Sequence, residues 1–375
     1  MEPVVHVWNV IAACGWYAVL SRRLRHIVDK QDSGVIFLFV VAGALSIGSV
    51  MAAGNVIRTF APSVMIQTTP TELLEYHVLV VGIIEELAKF AFFAAVLVPL
   101  SLPKEPQDGV ILGAVTGLAF GALENVSYIQ VFGVTPIIAM RPVIATGGHM
   151  IFGAIWGGIF SKALYTSEHT RDPHVWQQAA GGVLFVALLH GMYNFLSSFQ
   201  FGLFTGTLVD VIGLIIALQL YIHLIERSPY NTLPLHRAGD AVPRLHRGLD
   251  FNPSSTILNR NLGFYLLYLG RYRESAMHLR RAVPRARDPR RLRFFAAIAE
   301  LEVVPIARAL RTLRSAWSRL SDEQRVSYMR QAGRILAKQP DLMEKLETAI
   351  ESRFRRVEEG APRGQPSPGV TPRGA

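Results

Sequence analysis

The sequence is poor in cysteine and in charged residues. Cys14 is the only cysteine among 375 residues, which excludes a framework of disulfide bonds and a metal site built from several thiolates. Only 18% of the residues are charged, 50% are hydrophobic, and the mean hydropathy is +0.29. These values argue against a soluble protein with one core, because long apolar runs place the first part of the chain in a lipid bilayer.

Charge is distributed unevenly along the chain. Residues 1–228 contain 11 Lys or Arg and 14 Asp or Glu, whereas residues 229–375 contain 27 and 14. The net charge of +10 therefore combines a slightly acidic first part with a strongly basic second part. We predict a membrane domain at 1–228, a soluble helical domain at 229–355 and a disordered tail rich in Pro, Gly and Arg at 356–375.

Seven apolar segments have the length of a membrane-spanning helix, which takes about 20 residues. They lie at 4–20, 34–57, 73–100, 109–134, 143–165, 179–199 and 202–225. Alternate short loops carry most of the basic residues, which marks their side as cytoplasmic. Those residues are Arg22, Arg23, Arg25, Lys30, Lys104, Lys162 and Arg171. We therefore predict an all-α polytopic bundle with its N-terminus outside and its C-terminal domain in the cytoplasm.

The basic second part shows the periodicity of amphipathic helices. Small and apolar residues over 261–282 resemble a tetratricopeptide repeat, a helix–turn–helix unit of about 34 residues, and 289–320 resembles a degenerate second copy. Such repeats bind peptides, so a cytoplasmic peptide or protein partner is expected; a helical cap without a ligand is the alternative. Attraction to anionic lipid headgroups, or a solvated charged face, explains the clustered arginines better than nucleic acid binding does.

The third predicted span carries three charged residues near its centre, although one charge at the bilayer centre costs at least about 2.5–3.5 kcal/mol. Lys89 follows Glu85 by four positions and Glu86 by three, so it can reach both carboxylates on one helix face. Two carboxylates and one ammonium group leave a net negative site, which favours retention of a proton or binding of a cation. An ion pair that only ties helices together is the alternative.

The fourth predicted span combines small residues with a carboxylate. Glycines recur every four positions at 113, 117 and 121, and this spacing lets another helix approach closely. Phe120, Glu124 and Asn125 lie at the end of the glycine stripe. A single glutamate is weak support for a site, but its place at the end of a close-packing groove strengthens it.

Two histidines follow in the fifth and sixth predicted spans. His149 lies in the fifth, and His190 and Asn194 lie four positions apart in the sixth. Their predicted depths in the bilayer agree with those of Glu85, Glu86 and Glu124, so we expect one water-filled pocket that opens to the outside. Asn9 and Asp210, in the first and last spans, are expected to form hydrogen bonds between helices.

Hydrolysis of a peptide bond within a membrane needs an activated water, a group that stabilises the oxyanion and a proton donor. The sequence has no His-Glu-x-x-His motif and no Gly-x-Ser-Gly motif, and Asp210 is the only aspartate well inside a predicted span. Residue type therefore excludes the classical zinc, serine and aspartyl classes of intramembrane protease.

The constellation that remains resembles the PrsW family, within the superfamily of CAAX prenyl proteases and bacteriocin-processing membrane proteases. The resemblance covers about residues 75–200 and is carried by Glu85-Glu86-x-x-Lys89, by Asp108-Gly109 leading to Glu124-Asn125, by His149 and by His190-x3-Asn194. It implies a bacterial intramembrane endopeptidase in the cell membrane. The type member makes the first cut in a membrane-anchored anti-sigma factor, on its extracytoplasmic side.

The resemblance also implies roles for single residues. Glu85 and Glu86 would activate the water with help from His149, and His190 and Asn194 would hold the oxyanion. The positions that would support these catalytic residues are Lys89, Phe120 and Asn125.

A cofactor is left open by the resemblance, since the family is described both as metallopeptidase and as glutamic protease. If a metal ion is used, Zn²⁺ would be held by Glu86, Glu124, His149 and His190. Glu124 replaces the histidine of the prenyl-protease branch, so the branches differ most at this position.

Two other functions are compatible with the same residues. Buried Glu, His and Lys also form the proton relays of transporters, but the seven segments show no repeat of two similar halves. A catalytically inactive membrane receptor that acts through its helical-repeat domain is the other alternative.

Overall fold

The protein is described by a computed structural model that covers residues 2–28, 33–100, 102–167, 172–199 and 202–359. Within these ranges the chain forms helices and turns without a strand, which confirms the predicted all-α fold. Its contacts define two compact units. The first unit runs to Asn231 and includes Asp250–Pro253, and the second comprises Thr232–Leu249 and the chain from Ser254 onward.

The described part of the first unit contains nine α-helices. They are α1 (Glu2–Val28), α2 (Ser33–Phe60), α3 (Pro70–Glu75), α4 (Ile83–Leu97), α5 (Asp108–Phe132), α6 (Pro136–Met140), α7 (Ile144–Thr166), α8 (Pro173–Ser197) and α9 (Gly202–Arg227). A π-helical segment, Tyr76–Gly82, joins α3 to α4 without a break.

Five described helices are long and apolar enough to cross a membrane, in α1, α2, α5, α8 and α9. The chain is thus a multi-pass membrane protein, as predicted. The other two predicted spans are also helical: the third comprises α3, the π-helical segment and α4, and the fifth is the glycine-rich helix α7. The number of seven spans and their orientation stay predictions. Lys30 and Arg171, which support that orientation, lie outside the described residues.

The centre of the first unit is the close contact between α5 and α7. A Cβ atom at Gly113 would overlap with the carbonyl oxygen of Gly153, and one at Gly117 would overlap with that of His149. Small residues at a crossing let two helix backbones approach this closely. The glycine stripe predicted from the sequence therefore brings α5, which carries Glu124, directly against the backbone of His149.

Aromatic side chains fill the space on the inner side of α4. The ring of Trp156 from α7 lies 4.9 Å from that of Phe93 and 5.7 Å from that of Phe90, both edge to face. Phe39 of α2 adds a further ring, 5.4 Å from Phe93. These rings are buried and exclude water from one side of the polar residues on α4.

The second unit is built from seven further helices within the described residues. They are α10 (Ala238–Phe251), α11 (Thr256–Tyr268), α12 (Tyr272–Ala282), α13 (Pro289–Glu300), α14 (Ile306–Ser318), α15 (Asp322–Ile335) and α16 (Pro340–Glu359). Gly270, with φ +76°, follows α11 and allows the tight turn to α12.

The tetratricopeptide-like repeat stays a prediction. Helices α11 and α12 correspond to the segment 261–282 and α13 and α14 to 289–320, each as a helical pair joined by a short turn. Helix α16 reaches Glu359, within the segment 356–375 that is predicted to be disordered. Residues 360–375 of that segment lie outside the described residues.

Substitution of Gly113 by Ala tests the close contact between α5 and α7. The added methyl group must push the two backbones apart, and overpacking of this kind lowers the free energy of unfolding by about 1–3 kcal/mol. The measurement is the midpoint of thermal unfolding of the full chain in detergent. Gly48→Ala is the matched control, because a Cβ atom there meets nothing within 4 Å. Equal midpoints for the two variants would contradict this packing.

Candidate active site

Glu86 is the most firmly held carboxylate of the first unit. It is completely buried and receives hydrogen bonds from three side chains on three helices. Its Oε1 lies 2.6 Å from the Nζ of Lys89 and 2.8 Å from the Nδ1 of His190, and its Oε2 accepts a 2.9 Å hydrogen bond from the indole of Trp156. A carboxylate with three donors is fixed in orientation, so Glu86 orients its neighbours and has little freedom to react.

The hydrogen bond to Glu86 determines the tautomer of His190. Because the carboxylate can only accept, the proton of the neutral imidazole lies on Nδ1 and leaves a lone pair on Nε2. That nitrogen faces Glu85, whose Oε2 lies 3.7 Å away. An imidazole oriented by a carboxylate in this way is typical of histidines that bind a metal ion through their other nitrogen.

Lys89 joins the two carboxylates of α4 to the histidine of α7. Its Nζ lies 2.9 Å from the Nδ1 of His149, 3.6 Å from the Oε2 of Glu85 and 4.0 Å from the centroid of the Phe120 ring. Since an ammonium group can only donate, the Nδ1 of His149 accepts and its proton lies on Nε2. The Nε2–H of His149 then donates to the Oε2 of Glu124 over 2.9 Å.

Glu124 is held from its other side by Arg141, a residue that the sequence marks only as a basic loop residue. The guanidinium group donates to the Oε2 of Glu124 over 2.8 Å and to the Oδ1 of Asn125 over 3.3 Å, and it stacks 3.5 Å from the ring centroid of Tyr128. Arg141 follows the short helix α6, so no helical spacing relates it to Glu124. Only the fold of this segment brings the two together.

Asn125 connects this arrangement to the first helix. Its amide donates to Thr146 over 2.8 Å and to the side chain of Asn9 over 3.3 Å. Asn9 in turn donates to the carbonyl oxygen of Ala122 over 2.8 Å. The predicted hydrogen bond of Asn9 between helices is therefore confirmed. The supporting role of Asn125 stays a prediction.

Glu85 differs from Glu86 because its Oε2 takes part only in a long, 3.6 Å ion pair with Lys89 and in no hydrogen bond within the described residues. Its side chain is only 8% exposed. Such an oxygen is costly to bury unless it receives a proton, a water or a cation. Glu85, His149 and His190 each offer one ligand atom, and the three atoms lie within 4.8 Å of one another.

This metal-binding group differs from the ligands predicted from the sequence. Glu85 takes part in place of Glu86, both of whose oxygens are engaged by Lys89, His190 and Trp156, and in place of Glu124, whose Oε2 is engaged by Arg141 and His149. Both nitrogens of His149 are also engaged, so this imidazole can bind an ion only if it gives up one hydrogen bond. The site thus offers a metal ion the Oε2 of Glu85 and the Nε2 of His190. One nitrogen of His149 becomes available if it gives up its present hydrogen bond.

Close contacts of glycine bring α8 against the start of α4. A Cβ atom at Gly82 would overlap with the carbonyl oxygen of Ala187, and one at Gly191 would overlap with the backbone of Val78. The segment that carries Val78 is π-helical, a geometry that is frequent at functional sites. His190, next to Gly191, reaches both glutamates of α4 because of this approach.

Two predicted residues have surroundings other than those expected. Asn194 is half-buried and its side chain makes no hydrogen bond within the described part of the chain, although it lies one turn after His190. The carboxylate of Asp210 is buried against Gly148 and neither of its oxygens has a partner in the same ranges. The hydrogen bond predicted for Asp210 is therefore wrong, because the helix that faces it presents a glycine.

Trp156 is a second residue of the site that sequence reasoning missed. A signal for it exists, because Trp156 follows His149 by seven positions and so lies on the same face of α7. An indole in an apolar helix is nevertheless read first as a core residue. Its hydrogen bond to Glu86 forms because the fold places α4 beside α7, and the spacing along α7 does not show this.

Comparison with known proteins places the sequence of this chain in a family. Residues 31–222 match the sequence profile of a family described as PrsW family intramembrane metalloprotease. Protease PrsW of Geobacillus kaustophilus is 28% identical over 155 residues, which cover 38% of this chain and 66% of that protein. Protease PrsW of Shouchella clausii is 30% identical over 122 residues (32% and 54%), and that of Bacillus subtilis is 29% identical over 115 residues (31% and 50%).

The chain spans between 50% and 66% of the length of these three relatives. The profile covers the helices that carry all the residues of the site, from α4 to α8. No solved structure matches the chain significantly.

Substitution of Lys89 by Met tests its role as the buried counter-charge. Loss of one partner of a buried ion pair leaves an uncompensated carboxylate and lowers the free energy of unfolding by about 3–5 kcal/mol. The double variant Lys89→Met with Glu86→Gln removes both charges and should recover most of that loss. Thermal unfolding of the full chain in detergent measures both effects. If the thermal unfolding midpoint of the double variant is no higher than that of the single variant, Lys89 does not stabilise the fold through Glu86.

Proposed function

The chain belongs to the PrsW family of intramembrane metalloproteases, and we propose that it is an endopeptidase that hydrolyses a peptide bond of a membrane-anchored protein. One observation carries this proposal. The Oε2 of Glu85, which accepts no hydrogen bond from the described residues, and the free Nε2 of His190 face each other across 3.7 Å in a buried site that also contains His149. A free carboxylate oxygen beside an oriented imidazole is the arrangement that activation of a water molecule needs.

Glu85 is the group that acts on the water, and two chemistries use it. As a base, its carboxylate takes the proton of the attacking water. As a ligand, it would help to hold a metal ion that activates the water. Glu86 serves neither chemistry directly, because three donors already occupy its oxygens. We therefore divide the roles that the sequence assigns jointly to the two glutamates: Glu85 reacts, and Glu86 orients His190.

Two further pairs hold the site in place. Arg141 forms a salt bridge with Glu124, and Glu124 fixes the imidazole of His149 through its Nε2–H. Lys89 fixes the same imidazole through Nδ1, with Phe120 beneath its ammonium group. Rigid support of this kind matters because small displacements of catalytic groups reduce rates strongly.

The oxyanion of the tetrahedral intermediate is assigned to Asn194. His190 in the tautomer described above has no proton on Nε2, so it cannot donate to an oxyanion there. Asn194, one turn later on α8, has two amide hydrogens that no group of the described chain accepts. Rotation of this side chain when substrate binds would direct them to the site, where a donor of this kind contributes about 2.7–4 kcal/mol.

A divalent metal ion fits the donor set of Glu85, His149 and His190. Three protein ligands from carboxylate and imidazole groups are the usual number in catalytic zinc sites. When bound, such an ion lowers the pKa of its water and polarises the peptide carbonyl. Glu86 supplies the carboxylate that orients His190 for this role.

We further propose that the substrate is a single-pass protein such as an anti-sigma factor, cut on its extracytoplasmic side. Support comes from the resemblance to the type member and from the predicted outward orientation of the pocket. The second unit would then recognise a cytoplasmic peptide or protein partner.

Substitution of Glu85 by Gln tests the protease. Loss of a general base or of a ligand lowers the cleavage rate of a single-pass substrate by roughly 10²–10⁴-fold. The measurement is cleavage in proteoliposomes that contain the purified full chain. Glu75→Gln is the control, because Glu75 is exposed ten positions earlier on the same helical segment. If Glu85→Gln cleaves the substrate as fast as the wild type, the assignment of Glu85 as the reacting group is contradicted. If the wild type cleaves nothing but takes up a solute together with protons, the transporter is favoured.

Metal analysis of the purified chain separates the two chemistries. Metal-dependent hydrolysis predicts about one zinc ion per chain, lost in Glu85→Gln and in His190→Ala because each removes a ligand. His174→Ala, an exposed histidine of the same helix, should keep the ion. Full cleavage after complete removal of metal by a chelator would instead establish the glutamic mechanism, with Glu85 as the base.

A further inference from the structure

The second unit contains a cavity of 390 Å³ whose walls are rich in arginine. Five guanidinium groups line it, from Arg280 of α12, Arg290 and Arg293 of α13, Arg311 of α14 and Arg319 just after α14. Among the described residues, Glu300 is the only carboxylate in the lining. Cavities of about 300–1,000 Å³ are the usual size of binding sites for small molecules.

Helical periodicity directs these side chains to one place. On α13 the lining positions are 290, 293, 296 and 300, and on α14 they are 311, 312, 315, 316 and 319. Spacings of three and four residues put side chains on the same face of a helix. The cavity is thus the groove between the facing sides of two successive helices, with Thr312 and Ser315 adding hydroxyl groups.

Some arginines outside the cavity are neutralised by a carboxylate close by in the sequence. Arg237, Arg271 and Arg325 each pair with a carboxylate three positions away, Asp240, Glu274 and Asp322. Within the described residues, Arg290, Arg293, Arg311 and Arg319 form no ion pair, and only Arg280 pairs, with the buried Glu300. Grouped cations without counter-charges produce a strong positive potential in a concave surface, which attracts a compact anion.

We propose that this cavity binds a ligand with two or more phosphate groups. Guanidinium groups match phosphate oxygens with paired hydrogen bonds, and a diphosphate brings several negative charges into a small volume, whereas one carboxylate brings a single charge. Val283, Ala296 and Ala316 give the cavity an apolar floor for the organic part of the ligand. The site is independent of the proposed protease chemistry, because all of its residues belong to the second unit.

The same phosphate chemistry has two sources, a soluble diphosphate or nucleotide and a lipid headgroup. The experiment uses the full chain in nanodiscs of neutral phosphatidylcholine. Three probes are titrated by calorimetry: inorganic pyrophosphate, ADP and geranyl diphosphate, which is a short-chain, water-soluble lipid diphosphate. A glutamate-rich peptide is titrated in parallel as the alternative anion.

The test variant is Arg293→Gln with Arg311→Gln, one residue from each wall of the groove. The control variant, Arg308→Gln with Arg330→Gln, removes two exposed arginines that do not line the cavity. Each variant loses two positive charges, so the two variants differ only in whether those charges lay in the cavity or outside it.

We expect saturable binding that weakens about tenfold or more in the test variant and stays within about twofold in the control. Tighter binding of pyrophosphate or ADP assigns the soluble source, and tighter binding of geranyl diphosphate assigns the lipid. Equal weakening in both variants, no saturable binding of any phosphate probe, or tighter binding of the glutamate-rich peptide would each overturn the proposal.

Discussion

The ammonium group of Lys89 is the interaction on which the buried site of the first unit depends. It is completely buried, yet it touches Glu86, Glu85 and His149 and lies over the ring of Phe120. Two neighbouring carboxylates at membrane depth would repel each other and lose their hydration without a cation between them. With Lys89 in place, one carboxylate becomes a fixed orienting group and the other keeps a free oxygen.

That difference between two adjacent glutamates explains much of the proposed chemistry. Glu86 faces Trp156 and His190 and is saturated with donors, whereas Glu85 lies one residue away on the helix and faces a free lone pair. Neighbouring positions on a helix differ in direction by about 100°, so their surroundings need not resemble each other. Identical side chains thus take separate roles, one structural and one reactive.

The surrounding helices are brought close by residues that lack side chains. The contacts of α5 with α7 and of α4 with α8 require glycine at Gly113, Gly117, Gly82 and Gly191. Without an aqueous phase to drive association, packing of this kind and polar contacts between helices hold a membrane bundle together. The second unit is packed differently. Its helices pair through apolar faces, and its charged side chains face solvent or the cavity between α13 and α14.

The sequence by itself determined the division into a membrane part and a basic helical part, the all-α fold, and the family to which residues 31–222 belong. These properties follow from composition, apolar length and short motifs, which are local. The tertiary structure decided which carboxylate oxygen is free and why it belongs to Glu85 and not to Glu86. It also decided that Arg141 and Trp156 belong to the site. Asp210 shows the same limit, since a polar residue in a span predicts a partner but does not reveal that the facing residue is Gly148. Hydrogen bonds depend on which faces of distant helices meet and at what height, and spacing along one helix does not contain that information.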